Sequence, residues 1–148
     1  MQSIVEHLSA EHESCDRLFA RIAAAIDSGD MIRVQAAYHA FRHAMQRHLA
    51  VEDAILFPAF EAGSDILGVT HMMRMEHEQM QELVHQLQAA LDSGNPQSCA
   101  AALDLLSALM LQHNLKEEQM LYPLLERALQ GKADGLVRRI EALPQPPA

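Results

Sequence analysis

Residues 45–61 read MQRHLAVEDAILFPAFE, and residues 110–126 read MLQHNLKEEQMLYPLLE. Laid over each other, Met45, His48, Glu52, Leu56, Pro58 and Glu61 fall on Met110, His113, Glu117, Leu121, Pro123 and Glu126, each 65 positions later. The same shift places Glu11-His12-Glu13 on Glu76-His77-Glu78 and Asp27-Ser28-Gly29 on Asp92-Ser93-Gly94. Across residues 11–62, without a gap, 17 of 52 positions are identical to their partners. Two unrelated helical segments share far fewer, so the chain reads as one unit written twice.

Local signals make that unit a helical hairpin. Ser3 with Glu6 forms a capping box, and Ile4, Leu8, Cys15, Leu18, Phe19, Ile22 and Ile26 follow at helical spacing until Asp27-Ser28-Gly29 stops the run. A second helix is expected from about Met31 to about Glu61, closed by Ala62-Gly63-Ser64. The third begins between Asp65 and His71 and ends near Leu91. Asn95 caps a fourth with Pro96 at its first position, running to Gln130. A short fifth covers about Ala133 to Leu143. The fold class is therefore all-α: an up-down-up-down four-helix bundle of two duplicated αα-hairpins, about 3–61 and 65–130, plus a short C-terminal helix at about 133–143. Residues 1–143 make one domain, and 144–148 a Pro-rich tail.

The hairpin geometry selects candidate ligands among nine histidines. His12 precedes Gly29 by 17 residues and His48 follows it by 19, so both stand ~25–29 Å from the turn, at nearly one height. His77 and His113 repeat those distances from Gly94. Glu52 and Glu117 sit one helical turn beyond His48 and His113, on the same face. His7/Glu11 and His12/Asp16 share the four-residue spacing but are not repeated, since His7 maps to Met72 and Asp16 to Gln81. Six candidates survive: His12, His48, Glu52, His77, His113 and Glu117. His7, His39, His43 and His71 lie ~120–180° out of phase with this face, and His85 is two turns away. Asp16, one turn from His12, is a possible extra ligand. Glu11 and Glu76 are possible hydrogen-bond acceptors for metal-bound imidazoles. Asp53 and Glu118 point about 100° away and are expected in solvent. Tyr122 simply stands where Phe57 stands in the first copy.

Four imidazoles and two carboxylates converging inside a bundle call for metal, because buried unpaired carboxylates cost several kcal/mol each. Imidazole with carboxylate suits iron, zinc or manganese. The net charge of −9 argues against nucleic acid and anionic membrane as partners. No run is apolar enough to span a bilayer and no secretory leader is evident, which points to a cytoplasmic protein. Cys15 and Cys99 are isolated, so a disulfide scaffold is not expected.

Together, His12, His48-xxx-Glu52, Glu76-His77-Glu78, His113-xxx-Glu117 and the phrases Ile-Leu-Phe-Pro and Met-Leu-Tyr-Pro resemble the hemerythrin-like HHE cation-binding family over about residues 3–130. That resemblance implies a non-haem di-iron site with an oxo, hydroxo or water bridge. Glu52 and Glu117 would span both irons, His12 and His48 completing one and His77 and His113 the other. Oxygen-carrying members have a second His where Met73 stands, and an Asp one position beyond Glu117. The set of four His and two Glu is closer to the di-iron repair branch. The expected function is binding or sensing of a small ligand such as O₂, NO or peroxide, or of iron status, by a monomer or homodimer. The alternative is a di-iron oxidoreductase or an iron–sulfur cluster repair enzyme or iron donor.

Overall fold

A computed structural model describes residues 3–144. Residues 145–148 of the expected tail lie outside the described residues, as do positions 1 and 2. The chain is helical throughout, with no strand among the described residues. Helix α1 (Ile4–Ser28) and α2 (Met31–Val51) form the first hairpin, and α4 (Gly68–Ser93) and α5 (Pro96–Lys116) the second. After α2 the helix widens into a π-helical turn (Glu52–Leu56) and resumes as α3 (Phe57–Ala62). After α5 it does the same, through Glu117–Leu121 into α6 (Tyr122–Ala128). Helix α7 (Ala133–Ala142) lies beyond the bundle proper.

The duplicated turns explain the hairpins. Gly29 and Gly94 end their helices at φ +75° and +69°, where a side chain is disfavoured. Ser28 and Ser93 hydroxyls bond back to the carbonyls of Ala25 and Ala90, at 2.6 and 2.7 Å. Asp30 and Asn95 then cap α2 and α5 by accepting from the backbone two and three residues on. At the N-terminus the capping box forms in both directions, Glu6 N to Ser3 Oγ and Ser3 N to Glu6 Oε2.

Two apolar layers fill the interior. One, near the Gly turns, is built around Ile22, Tyr38, Phe41, Leu49, Met80, Leu87 and Leu106. The other, at the opposite end, gathers Leu8, Val51, Leu56, Phe57, Met73, Leu121, Tyr122 and Leu125. Helix α7 adds Leu136 and Ile140 to this second layer. The Arg47 guanidinium holds α7 in place, donating to the carbonyls of Ile140 and Leu143 at its C-terminal end, at 2.8 and 3.0 Å. Both cysteines are buried and free. His12, His48, Glu52, His77, His113 and Glu117 sit where the two layers meet.

The helices match the expected hairpins, with two differences. Each long second helix is interrupted where α-helical geometry was expected to continue, and the last one ends at Ala128 rather than Gln130. The interruption has a cause in the sequence. Pro58 and Pro123 lack an N–H, and each ring would clash with the carbonyl four residues back. A wider turn just upstream removes the clash. The amide of Phe57 then bonds to Glu52 O and that of Tyr122 to Glu117 O, five residues back in each case.

Candidate metal centre

All six side chains expected from the sequence converge. Each is at most 3 % exposed, and both glutamates are fully buried. His12 Nε2 lies 3.1 Å from His48 Nε2 and 3.0 Å from Glu117 Oε1. Glu52 Oε1 lies 3.3 Å from His48 Nε2 and 3.2 Å from His77 Nε2. Glu117 Oε1 is 3.1 Å from His113 Nε2, and its Oε2 is 3.7 Å from His77 Nε2. Both carboxylates therefore touch imidazoles of both hairpins. The donor atoms fall into two overlapping groups, Glu52 with His77, His113 and Glu117, and His12 with His48 and Glu117.

Several of these close approaches are not hydrogen bonds. Glu52 Oε1, His77 Nε2, His113 Nε2 and Glu117 Oε2 are buried and unpaired, although they lie within 3.1–3.7 Å of one another's groups. Atoms that crowd together yet aim past each other share a focus instead of a bond. Donors ~2.0–2.2 Å from one cation are separated by roughly 3 Å, the spacing found here. Orphaned buried polar atoms are costly, and a cation at that focus satisfies them together. The donor set fits a metal.

The far side of every imidazole is anchored. His48 Nδ1 meets Glu11 Oε1 at 2.9 Å, and His113 Nδ1 meets Glu76 Oε1 at 2.9 Å, each pair within one hairpin. His12 Nδ1 meets Glu118 Oε1 at 3.0 Å, and His77 Nδ1 meets Asp53 Oδ1 at 2.8 Å, each pair joining opposite hairpins. Acceptors at Nδ1 orient the ring and leave Nε2 facing inward, as metal-ligating histidines require. Asp53 and Glu118 reach solvent, as expected, and do more besides. They are part-exposed, but one oxygen of each holds a buried imidazole. Their recurrence as acids at paired positions was the available signal.

The charges respond to this packing. Burial by itself would lower His48, but the Glu52 charge, the bond to Glu11 and the nearby Glu117 carboxylate hold it well above the ordinary imidazole value. His77, against the same burial penalty, is raised to about 11 by Asp53, Glu117 and Glu52. Burial raises Glu117, yet the imidazoles of His113, His12, His48 and His77 gathered around it bring it well below the usual carboxylate range.

Tyr122 is the residue that sequence reasoning missed. Its hydroxyl donates to Glu52 Oε2 at 2.8 Å and lies 3.0 Å from His12 Nε2 and 3.1 Å from Glu117 Oε1. Burial, then the charges of Glu52 and Glu117, push this phenol well above its ordinary value. Five residues of ideal α-helix would put Tyr122 about 140° from Glu117. The π-helical turn instead brings both to one face. Phe57, its counterpart, stacks on His77 at 5.7 Å much as Tyr122 stacks on His12 at 5.5 Å, with no hydroxyl to offer. Arg74 lies over the Phe57 ring, 5.4 Å from its centroid, and is clamped by Glu61.

The remaining histidines stay outside the cluster. His39, His71 and His85 are exposed, and His7 pairs with Glu11 at 3.7 Å. His43 lines a shallow surface recess with Glu11, Cys15 and Arg47. Asp16, considered as an extra ligand, is exposed; it borders a cleft of about 380 Å³ with His12, Glu13 and Glu118. Met73 is buried in the second apolar layer, and Met80 in the first.

A helical bundle with a buried His/Glu cluster between two core layers is the architecture of a metal-binding protein. Residues 3–125 match the family model described as the hemerythrin HHE cation binding domain, and the chain belongs to that family. No curated protein and no solved structure matches it. No helix among the described residues is long and apolar enough to cross a membrane.

Proposed function

We propose that the chain holds two metal ions, iron by preference, and uses them to bind or sense a small ligand such as O₂ or NO. His12 and His48 would serve one ion and His77 and His113 the other, with Glu52 and Glu117 shared. The observation that carries this reading is the set of four orphaned buried atoms, Glu52 Oε1, His77 Nε2, His113 Nε2 and Glu117 Oε2, gathered at one level between two hydrophobic layers. Nitrogen and oxygen donors without thiolate suit iron, zinc or manganese. Bound iron would supply reversible ligand binding or one-electron chemistry. The protein's own part is to hold the imidazoles by their Nδ1 atoms and to surround the pair with apolar side chains.

The test is direct. Protein purified without added metal, then loaded with ferrous iron under anaerobic conditions, should take up two ions per chain. Exposure to O₂ or NO should then change the visible spectrum, and removal of the gas should restore it. Failure to take up any metal would overturn the reading. Irreversible change with turnover of peroxide would replace binding with an oxidoreductase role.

A further inference from the structure

We propose that the Tyr122 hydroxyl oxygen is a ligand to the metal held by His12 and His48, so that the two metal positions are chemically unequal. This inference rests on the two-metal reading. Its basis is distance. The oxygen lies 2.8, 3.0 and 3.1 Å from Glu52 Oε2, His12 Nε2 and Glu117 Oε1. Those separations match the ones among the six histidine and glutamate donors, 3.0 to 3.3 Å for the nearest pairs. By position, Tyr122 oxygen belongs to the donor set.

The duplication supplies the internal control. At the equivalent place in the other half, Phe57 packs on His77 in the same stacked manner and presents only carbon. The buried unpaired imidazole nitrogens of the cluster, His77 Nε2 and His113 Nε2, belong to this half. His12 Nε2 and His48 Nε2 lie 3.1 Å apart on the side that has the hydroxyl, whose oxygen is 3.0 Å from His12 Nε2. The metal beside His12 and His48 would gain a protein oxygen, whereas Phe57 would offer none to the one beside His77 and His113. In the ligation step the Tyr122 O–H bond breaks, a metal–oxygen bond forms and the proton leaves to solvent. No electrons are transferred.

The experiment uses the full chain loaded with iron and oxidised to the ferric state with air. A phenolate bound to ferric iron gives an intense visible charge-transfer band and enhanced tyrosinate ring vibrations in resonance Raman. Wild-type protein should show both. Tyr122→Phe should still bind two irons per chain and lose both signals, since Phe57 already occupies the equivalent place. Tyr38→Phe should retain them, because the Tyr38 hydroxyl is engaged with Val84 O at 3.2 Å. Phe57→Tyr should add a second tyrosinate signal. Two irons bound without the band, or a band that survives in Tyr122→Phe, overturns the proposal while the two-metal reading stands. No metal uptake by the wild type overturns both.

Discussion

The two halves of the candidate metal centre are built from the same unit, yet they end differently. Around His77 and His113 the inward nitrogens are unpaired and Phe57 closes the space with a bare ring. Around His12 and His48 the inward nitrogens meet each other, a carboxylate oxygen and the Tyr122 hydroxyl. The supports differ less: all four imidazoles bond a carboxylate through Nδ1, two within a hairpin and two across to the other. Duplication thus supplies a symmetric frame, and one phenolic oxygen breaks the symmetry inside the cluster. Function in a duplicated fold is best sought at positions where the copies diverge inside the site.

The strongest challenge to this comparison is removal of a shared carboxylate. Glu117→Ala strips the group that reaches imidazoles of both halves, and should abolish binding of both metals. Loss of a buried paired charge also destabilises by roughly 3–5 kcal/mol. Metal analysis with thermal melts would read both effects, and an unchanged stoichiometry of two would show that the cluster is not the site. His77→Ala should lower metal content and melting temperature together, because metal binding contributes to folding free energy. His39→Ala should change neither.

Next in size are the anchors. Asp53→Asn and Glu118→Gln each weaken a hydrogen bond from one imidazole to the opposite hairpin, and each should lower metal affinity by about 10–100-fold. Competition with a chelator measures this. Equal losses would mean the supports are equivalent; a larger loss for one would locate the tighter metal.

A pH effect follows from the raised imidazoles. In the metal-free protein His77 is raised from 6.5 to about 11, so its stabilising contribution is full below about 6.5 and disappears as pH rises toward 11. Metal loading requires neutral imidazole and so strengthens over the same rise. Denaturant melts with and without metal should therefore diverge with pH, the metal-free protein weakening while the loaded protein does not. The smallest effect is expected at the turns. Gly29→Ala and Gly94→Ala should each cost about 1–2 kcal/mol and cost it equally, since both glycines have the same left-handed conformation. A marked difference would show that the two hairpins are not energetically alike.

Much of this arrangement was legible in the residues alone. The repeat at 65 residues, the turn signals at Gly29 and Gly94 and the equal distances from turn to histidine bring His12, His48, His77 and His113 to one height. Periodicity and duplication act along a chain of known rise, so height in a bundle follows from counting. The face that each side chain presents follows from counting only while the helix stays α. At Glu52–Leu56 and Glu117–Leu121 it does not, and there the packed protein alone settles direction. The wider turn swings Tyr122 into the cluster, and Asp53 and Glu118 meet imidazoles of the other hairpin. Contacts between hairpins depend on how four helices close around one another, a relation that no stretch of residues carries by itself.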